Sequence, residues 1–394
     1  MNCRVCHRDV PSGEFCGNCG ATSFHRRGDG PDHLRLSAHA AAPTERVLSP
    51  AVTSTLFPAL PRHSRPAFRL ALIIVVALLF TAALTKWQAP LIGLVVFGLP
   101  LVFVVYLYES DGFADIPALS IAVTAVLGIG LGIAWALATD SSAANTDDDA
   151  LGLPPSPVKI LIIGLAVPLG FLLALYAPIV IVRVWRPGTR ESLSGFAIGS
   201  LSGFVFAGAG SLTRLVSEFA NGVIDEDGRP AIHLLIAGAI QGVAIPLTAA
   251  AVGGAVGATL WFRRRDDAVQ RPSWYALTSP VPAIAFGVAL YLVLALLDFF
   301  PLPNDVVMAI YALLGVVALY AVRLVVHATL LQEAPDAMPP DAMSPESVVL
   351  CPQCEHVVPD LPFCPSCGIA ANAGSRSSRS ARRATRPVPV GGER

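Results

Sequence analysis

The sequence predicts an all-α polytopic membrane bundle of about eight transmembrane helices, flanked at each terminus by a small four-cysteine module. Two observations lead to this fold class. Hydrophobic residues make up 54% of the 394 residues and charged residues only 14%, a balance outside the usual range of soluble domains. The eight cysteines fall into two groups of four near the two ends of the chain. Lipid must therefore cover part of the apolar surface between two polar modules.

The two cysteine groups share the pattern C-x2-C-x9-C-x2-C. A gap of two residues lets one backbone turn direct two thiolates at one ion, and two such turns complete the tetrahedron that Zn²⁺ accepts. Four sulfur ligands leave no open position for water, so we expect two structural zinc sites, one small four-cysteine zinc ribbon at each terminus. The predicted ligands are Cys3, Cys6, Cys16 and Cys19 in the N-terminal ribbon and Cys351, Cys354, Cys364 and Cys367 in the C-terminal ribbon.

The local sequences agree beyond the cysteines, since Phe15–Gly20 parallels Phe363–Gly368. Both resemble the short zinc ribbons of bacterial proteins. The trailing glycines suit a left-handed turn, and elements of roughly 20 residues need the metal for their folding energy. A pair of disulfides per module is the alternative, but disulfides require an oxidising compartment. His7 and His356 are predicted to stay outside the metal sites.

Eight apolar segments approach the length of about 20 residues that spans a bilayer. The fifth is the weakest because of its Gly and Ser content. The predicted segments are Leu70–Thr85, Pro90–Tyr108, Ile116–Thr139, Val158–Trp185, Leu193–Val216, Ile232–Phe262, Ser279–Phe299 and Val306–Leu330.

Arginine flanks predict the orientation of this bundle. With the N-terminus inside, the inner flanks are Arg-rich and the outer loops acidic, as the positive-inside rule requires; the exception is the inner loop 109–115, which has no basic residue. An even number of spans places both termini in the reducing cytoplasm, where thiols persist. The expected location is the cytoplasmic (cell) membrane, in bacteria the inner membrane, with multiple passes and both termini cytoplasmic.

The fifth segment carries small residues at a spacing of four: Gly195, Gly199, Gly203 and Ala207. Ridges of this kind let helices approach closely in lipid. We interpret this ridge as a packing surface within the bundle rather than as a dimerisation face.

The stretch from Lys159 to about Trp261 resembles the core of PrsW-type intramembrane metalloproteases, mainly through Gly199, Gly203 and Phe204, and through Gly253, Gly254 and Gly257. The resemblance implies a Glu-Glu-x-x-Lys, a Phe-x-x-x-Glu and a His-x-x-x-Asp motif, and none is present. The corresponding positions hold Val167, Pro168 and Phe171, then Gly208 four residues after Phe204, then Pro246, Leu247 and Thr248. The resemblance therefore implies a pseudoprotease that keeps the scaffold without its catalytic residues.

Ionisable residues within membrane segments are functional candidates by default, and they are nearly absent from these segments. We therefore predict no catalytic residues and a non-enzymatic membrane protein whose cytoplasmic ribbons serve protein interaction or regulation. A PrsW-like, inactive protease scaffold is the first alternative, and a transporter or channel is the second.

The expected partners are membrane lipid and either a cytoplasmic protein or the opposite ribbon. Nucleic acid is not expected, because the ribbons lack interleaved basic and aromatic residues.

The domain boundaries follow from composition. The predicted parts are the N-terminal zinc ribbon at 1–20, a flexible linker at 21–66, the transmembrane helical domain at 67–330, a linker at 331–347, the C-terminal zinc ribbon at 348–370 and a disordered Arg/Ser tail at 371–394.

Overall fold

The computed structural model of the chain contains eight α-helices and a two-stranded hairpin within its described residues. These residues are 1–3, 9–18, 23, 65–85, 87, 93–94, 98–109, 113, 115–144, 161–185, 191–220, 236, 239–262, 278–297, 299–300, 302–333, 348–351, 354–361, 363–368 and 384. The linkers predicted at 21–66 and 331–347 and the tail at 371–394 lie almost entirely outside them.

One helix lies in each of the eight predicted membrane segments. Two of them, α4 and α6, are preceded by a π-helical turn at Ile162–Ala166 and Ala239–Ala244. The helices are α1 (Arg65–Leu84), α2 (Leu99–Glu109), α3 (Ala118–Ala144), α4 (Val167–Trp185), α5 (Ser192–Ala220), α6 (Ile245–Trp261), α7 (Pro280–Leu297) and α8 (Asn304–Glu333).

Six of these helices, α3 to α8, are long and apolar enough to cross a membrane, judged over the described residues. A span needs about 20 residues. The apolar part of α1 runs only from Leu70 to Ala82, and α2 has 11 residues. The structure therefore supports a multi-pass membrane protein with six candidate spans. Of the eight predicted spans, those at α3 to α8 are supported.

Helices α5 and α6 form the centre of the bundle. Over the 18-residue apolar windows of their candidate spans, 78% and 72% of the residues are buried, compared with 22% to 33% in the other four. The two central helices are also the least apolar of the six. Residues that face lipid must be apolar, whereas interior helices can use Gly, Ala and Ser to pack closely. Burial thus explains why the fifth segment has the weakest hydrophobic signal in the sequence.

The glycine ridge of α5 packs directly on the backbone of α6. A Cβ built on Gly199 would overlap the carbonyl group of Gly253, and one built on Gly203 would overlap that of Ala249. Gly195 meets Gly257 in the same way. Residue numbers rise on one helix as they fall on the other, so the two helices run antiparallel. The interpretation of this ridge as a packing surface within the bundle is confirmed.

The two π-turns lie close to two prolines. Pro168 and Pro246 are the second residues of α4 and α6, and each of these helices begins directly after a π-turn. Proline has no N–H to donate to the carbonyl four residues earlier. In the first of these turns the Val167 N–H donates to the Ile162 carbonyl, five residues back, as in a π-helix.

Two further contacts join α4 to its neighbours. The Ser202 hydroxyl donates a hydrogen bond of 2.9 Å to the Leu175 carbonyl. Near the end of the same helix, the Arg183 Nε donates to the Leu260 carbonyl at 3.2 Å, and its guanidinium lies 5.7 Å from the centroid of the Trp261 ring. A cation–π contact of this kind holds a charged side chain against the ends of α4 and α6.

Candidate metal centre

The C-terminal ribbon begins with an antiparallel hairpin of β1 (Val348–Leu350) and β2 (Val357–Pro359). Val349 and Val358 face each other across it and are buried. The turn between the strands holds Cys351 and Cys354; the Cys351 N–H donates to the His356 carbonyl and the Glu355 N–H to the Cys351 carbonyl, both at 2.9 Å. The hairpin thereby directs the first two thiols to one side.

The second backbone turn holds Cys364 and Cys367. The Gly368 N–H donates to the Cys364 carbonyl at 2.9 Å, which closes this turn as the Glu355 N–H closes the first. Cys351, Cys364 and Cys367 are buried and Cys354 is partly buried. Two turns that are separate in the sequence of the ribbon therefore converge on one shielded point.

The four C-terminal thiols form the one group of three or more His, Cys, Asp or Glu side chains, within the part of the chain that the structure describes, that can hold a metal ion. All four sulfur atoms lie within 4.8 Å of one another. Cys351 and Cys367 are separated by 3.7 Å, and Cys354 and Cys364 by 3.8 Å, measured between their sulfur atoms.

These separations fit a tetrahedral zinc site. Sulfur ligands about 2.3 Å from Zn²⁺ at the corners of a tetrahedron are about 3.8 Å apart. A disulfide would require a sulfur–sulfur distance of about 2.05 Å. The donor set and its geometry therefore agree with a closed four-thiolate zinc site and not with paired disulfides.

The surroundings of one thiol in this cluster favour its protonated form. Hydrogen bonding to Cys351, together with burial, raises the pKa of the Cys364 thiol to about 11. Zinc binds the thiolate, so metal uptake must displace the proton. The thiol form is increasingly favoured as pH falls, and zinc binding is consequently expected to weaken with decreasing pH.

The residue after each cysteine pair adopts a left-handed backbone conformation, with φ of +57° at Glu355 and +71° at Gly368. This confirms the turn predicted for Gly368. The matching prediction for Gly20 lies outside the described residues. The Gly368 position is also crowded, because a Cβ there would lie 2.7 Å from Cδ1 of Phe15.

Replacing Gly368 with alanine is expected to weaken zinc binding about tenfold or more. A side chain in a left-handed conformation costs about 1–2 kcal/mol, and a tenfold change corresponds to about 1.4 kcal/mol. Competition with a chromophoric chelator measures the affinity. Glu355→Gly is the matched control, because removing a side chain at the other left-handed position should leave the affinity unchanged or slightly raise it. Equal weakening in both variants would contradict the assignment.

His356 lies beside the site rather than in it. Its side chain is exposed, and Nδ1 is 2.8 Å from the Cys354 backbone carbonyl. This agrees with the prediction that His356 is not a ligand. His7, the corresponding predicted non-ligand, lies outside the described residues.

The N-terminal ribbon is described in part. Cys3 and Cys16 are buried, whereas the predicted ligands Cys6 and Cys19 lie outside the described residues. Every cysteine of this ribbon precedes its C-terminal counterpart by 348 positions, and one backbone pairing follows the same relation. The Asn2–Asp9 bridge corresponds to the Leu350–Val357 pair of the C-terminal hairpin.

Sequence reasoning did not identify the residues that join the two ribbons. The Phe15 N–H donates to the Pro365 carbonyl at 3.0 Å, and the Phe363 N–H donates to the Gly17 carbonyl at 2.9 Å. The parallel between Phe15–Gly20 and Phe363–Gly368 was the only available signal, and it marks local likeness, not contact.

In the membrane bundle, two of the positions compared with protease motifs, Phe171 and Phe204, lie in aromatic contacts. Phe171 lies 4.8 Å from Phe206 and 4.7 Å from Tyr291, measured between ring centroids. Phe204 stacks on Phe103 at 4.6 Å. Both rings pack the bundle. Phe171 stands where the resemblance would require lysine, and Phe204 stands where it would require phenylalanine.

Comparison with known proteins identified no relative of this chain. The resemblance to PrsW-type proteases consequently remains a prediction from the sequence. No protein-family model, no curated protein and no solved structure matches the chain.

Proposed function

We propose that this chain is a non-enzymatic, multi-pass membrane protein whose cytoplasmic zinc ribbons serve protein interaction or regulation. The observation that carries the proposal is the convergence of the four C-terminal thiols, three of them buried. Four protein ligands complete the coordination of zinc, so neither water nor a substrate has a place on the metal. Such a site holds a small recognition module in shape.

The proposed number of zinc ions is two. Support comes from the matching cysteine spacing and from the bridge Asn2–Asp9, which pairs the same positions as Leu350–Val357. Cys3 and Cys16 are buried as Cys351 and Cys364 are. The N-terminal ribbon would therefore use Cys3, Cys6, Cys16 and Cys19 as its ligands.

The proposed topology has eight spans with both ribbons in the cytoplasm. Counting α1 and α2 both as spans, or neither, leaves an even number, so the two termini share a side in either case. The hydrogen bonds of Phe15 to Pro365 and of Phe363 to Gly17 support a common side, since groups on opposite sides of a bilayer cannot bond. Arginines in the flanks favour the cytoplasm for that side.

The test compares the proteins that co-purify with tagged full-length chain and with the variant Cys351→Ser/Cys354→Ser, after cross-linking in native membranes. Proteins bound through the ribbons should fall at least about tenfold in abundance when the metal site is lost. Ser366→Ala, which changes a non-ligand of the same ribbon, serves as the control. An unchanged set of partners in the cysteine variant would contradict the proposed function.

A transporter or channel is the second candidate, favoured by the π-turns that precede Pro168 and Pro246. Irregular backbone in membrane helices is tolerated where it is buried in protein or lines a cavity, and π-turns are frequent at functional sites. Flux into liposomes containing the purified protein tests it. Rates equal to those of empty vesicles across a panel of ions and small solutes would count against transport.

An intramembrane protease scaffold, inactive in this chain, is the third candidate and depends on the sequence resemblance alone. Purified protein in detergent should leave a membrane-segment peptide intact. Cleavage that stops on chelation would instead restore the protease interpretation.

A further inference from the structure

The two ribbons contact each other through equivalent residues. Adding 348 to a residue number of the N-terminal ribbon gives its counterpart, so Phe15 corresponds to Phe363 and Gly17 to Pro365. The Phe15 N–H donates to the Pro365 carbonyl, and the Phe363 N–H donates to the Gly17 carbonyl. Each ribbon thus gives the donor at one position and the acceptor two residues later. This reciprocity is the pattern of an isologous, two-fold interface.

The side-chain contacts obey the same relation. A Cβ on Gly13 would lie 2.7 Å from the Cβ of Pro365, and a Cβ on Gly17 would overlap the Leu361 side chain. Gly13 corresponds to Leu361 and Gly17 to Pro365. Gly13 therefore contacts the counterpart of Gly17, and Gly17 contacts the counterpart of Gly13. In each contact a glycine leaves room for a larger residue.

The contact also supplies apolar burial that a single ribbon lacks. Phe363 is fully buried and Phe15 is 6% exposed. The Phe15 ring lies against Gly368 of the other ribbon, where a Cβ would be 2.7 Å from Cδ1. Modules of roughly 20 residues cannot enclose a sufficient core alone, and pairing lets two of them share one.

All four hydrogen-bonding residues adjoin a metal ligand. Phe15 and Gly17 flank Cys16, and Phe363 and Pro365 flank Cys364. A four-thiolate metal fixes the backbone of the turn that contains these residues. Loss of the metal from either ribbon would therefore remove the shape that its partner recognises.

We propose that the binding partner of the N-terminal ribbon is the C-terminal ribbon of the same chain, and that zinc in both ribbons closes the chain into a loop on one side of the membrane. The inference rests on the proposed function, because it requires zinc to be bound in both ribbons. Pairing within one chain is favoured because covalent connection makes the contact an intramolecular step, with an effective concentration set by the segments that join each ribbon to the membrane domain. Zinc loss from either ribbon opens the loop.

The experiment places a specific protease site in the full-length protein between residues 21 and 66, cleaves it in detergent, and measures how much N-terminal fragment stays with the membrane domain. Zinc-loaded wild type should retain most of the fragment, and chelation should release it. Gly17→Leu should lower retention at least about tenfold, because the new side chain overlaps Leu361.

The decisive variant exchanges the two residues. Gly17→Leu/Leu361→Gly restores one large and one small residue at the contact and should recover most of the retention. Ser12→Asp changes an exposed residue of the N-terminal ribbon and should behave as wild type. Zinc content is measured for every variant, and two ions per chain identify those whose ribbons are folded.

Several outcomes would overturn the inference. They are release of the fragment from a wild type that holds two zinc ions, failure of the exchange variant to recover retention, and retention that survives complete chelation. Capture of a differently tagged copy's fragment after mixing would show pairing between chains instead. A wild type that holds fewer than two zinc ions would contradict the proposed function itself, so the two failures are distinguishable.

Discussion

Replacing Cys364 with serine is expected to abolish zinc binding by the C-terminal ribbon and to unfold residues 348–370. Cys364 is buried, and its sulfur lies 3.8 Å from that of Cys354 in the four-thiol cluster. Structural zinc contributes on the order of 10 kcal/mol or more to modules of this size, far more than the hydrophobic contacts around Val349 and Val358 can replace. The apolar burial of the hairpin is insufficient without the metal.

Two measurements check this prediction. Metal analysis of the purified variant should show one zinc ion fewer per chain than wild type, and limited proteolysis should cleave rapidly within 348–370. Ser366→Ala is the control, because Ser366 lies between Cys364 and Cys367 without belonging to the cluster. Unchanged zinc content in Cys364→Ser would refute the four-thiolate site.

Replacing Gly199 with alanine is expected to destabilise the membrane bundle by about 1–3 kcal/mol. The new Cβ would overlap the carbonyl group of Gly253, so α5 and α6 must separate at their closest approach, and overpacking of this kind costs about that much. At an exposed helix position the same substitution would instead stabilise the helix by up to about 1 kcal/mol, because alanine has the higher helix propensity.

Gly208 provides a matched control on the same helix, since a Cβ there would meet no atom within 4 Å. Gly208→Ala should leave the free energy of unfolding unchanged or raise it by up to about 1 kcal/mol. Unfolding in mixed micelles with increasing SDS, followed by circular dichroism, compares both variants with wild type. If Gly199→Ala is as stable as Gly208→Ala, the close packing of α5 on α6 is refuted.

The outcome for the fifth segment explains how hydropathy should be interpreted in this chain. Its Gly and Ser content weakens the apolar signal, yet 78% of its 18-residue apolar window is buried, the largest share among the six described spans. Lipid selects for apolar side chains, whereas close contact between helices selects for small ones. The small residues that let this helix pack at the centre of the bundle are therefore also the cause of its low hydropathy.

The count of spans illustrates a different limit. Hydropathy identified helical segments throughout, and α3 to α8 meet the length and composition of a span. In α1 and α2 the described apolar residues are fewer than about 20. Composition alone cannot distinguish a short apolar helix from a span when its ends lie near the limit of length.

The sequence by itself predicted the four C-terminal thiols that converge and the helical segments, because both patterns are local. A gap of two residues places two thiols on one turn, and about 20 apolar residues make a membrane helix wherever they occur. Only the tertiary structure decided which glycines meet across α5 and α6, and that Phe15 bonds to Pro365 while Phe363 bonds to Gly17. These contacts join residues about 50 and 350 positions apart, and complementary shape, which no local pattern records, selects them.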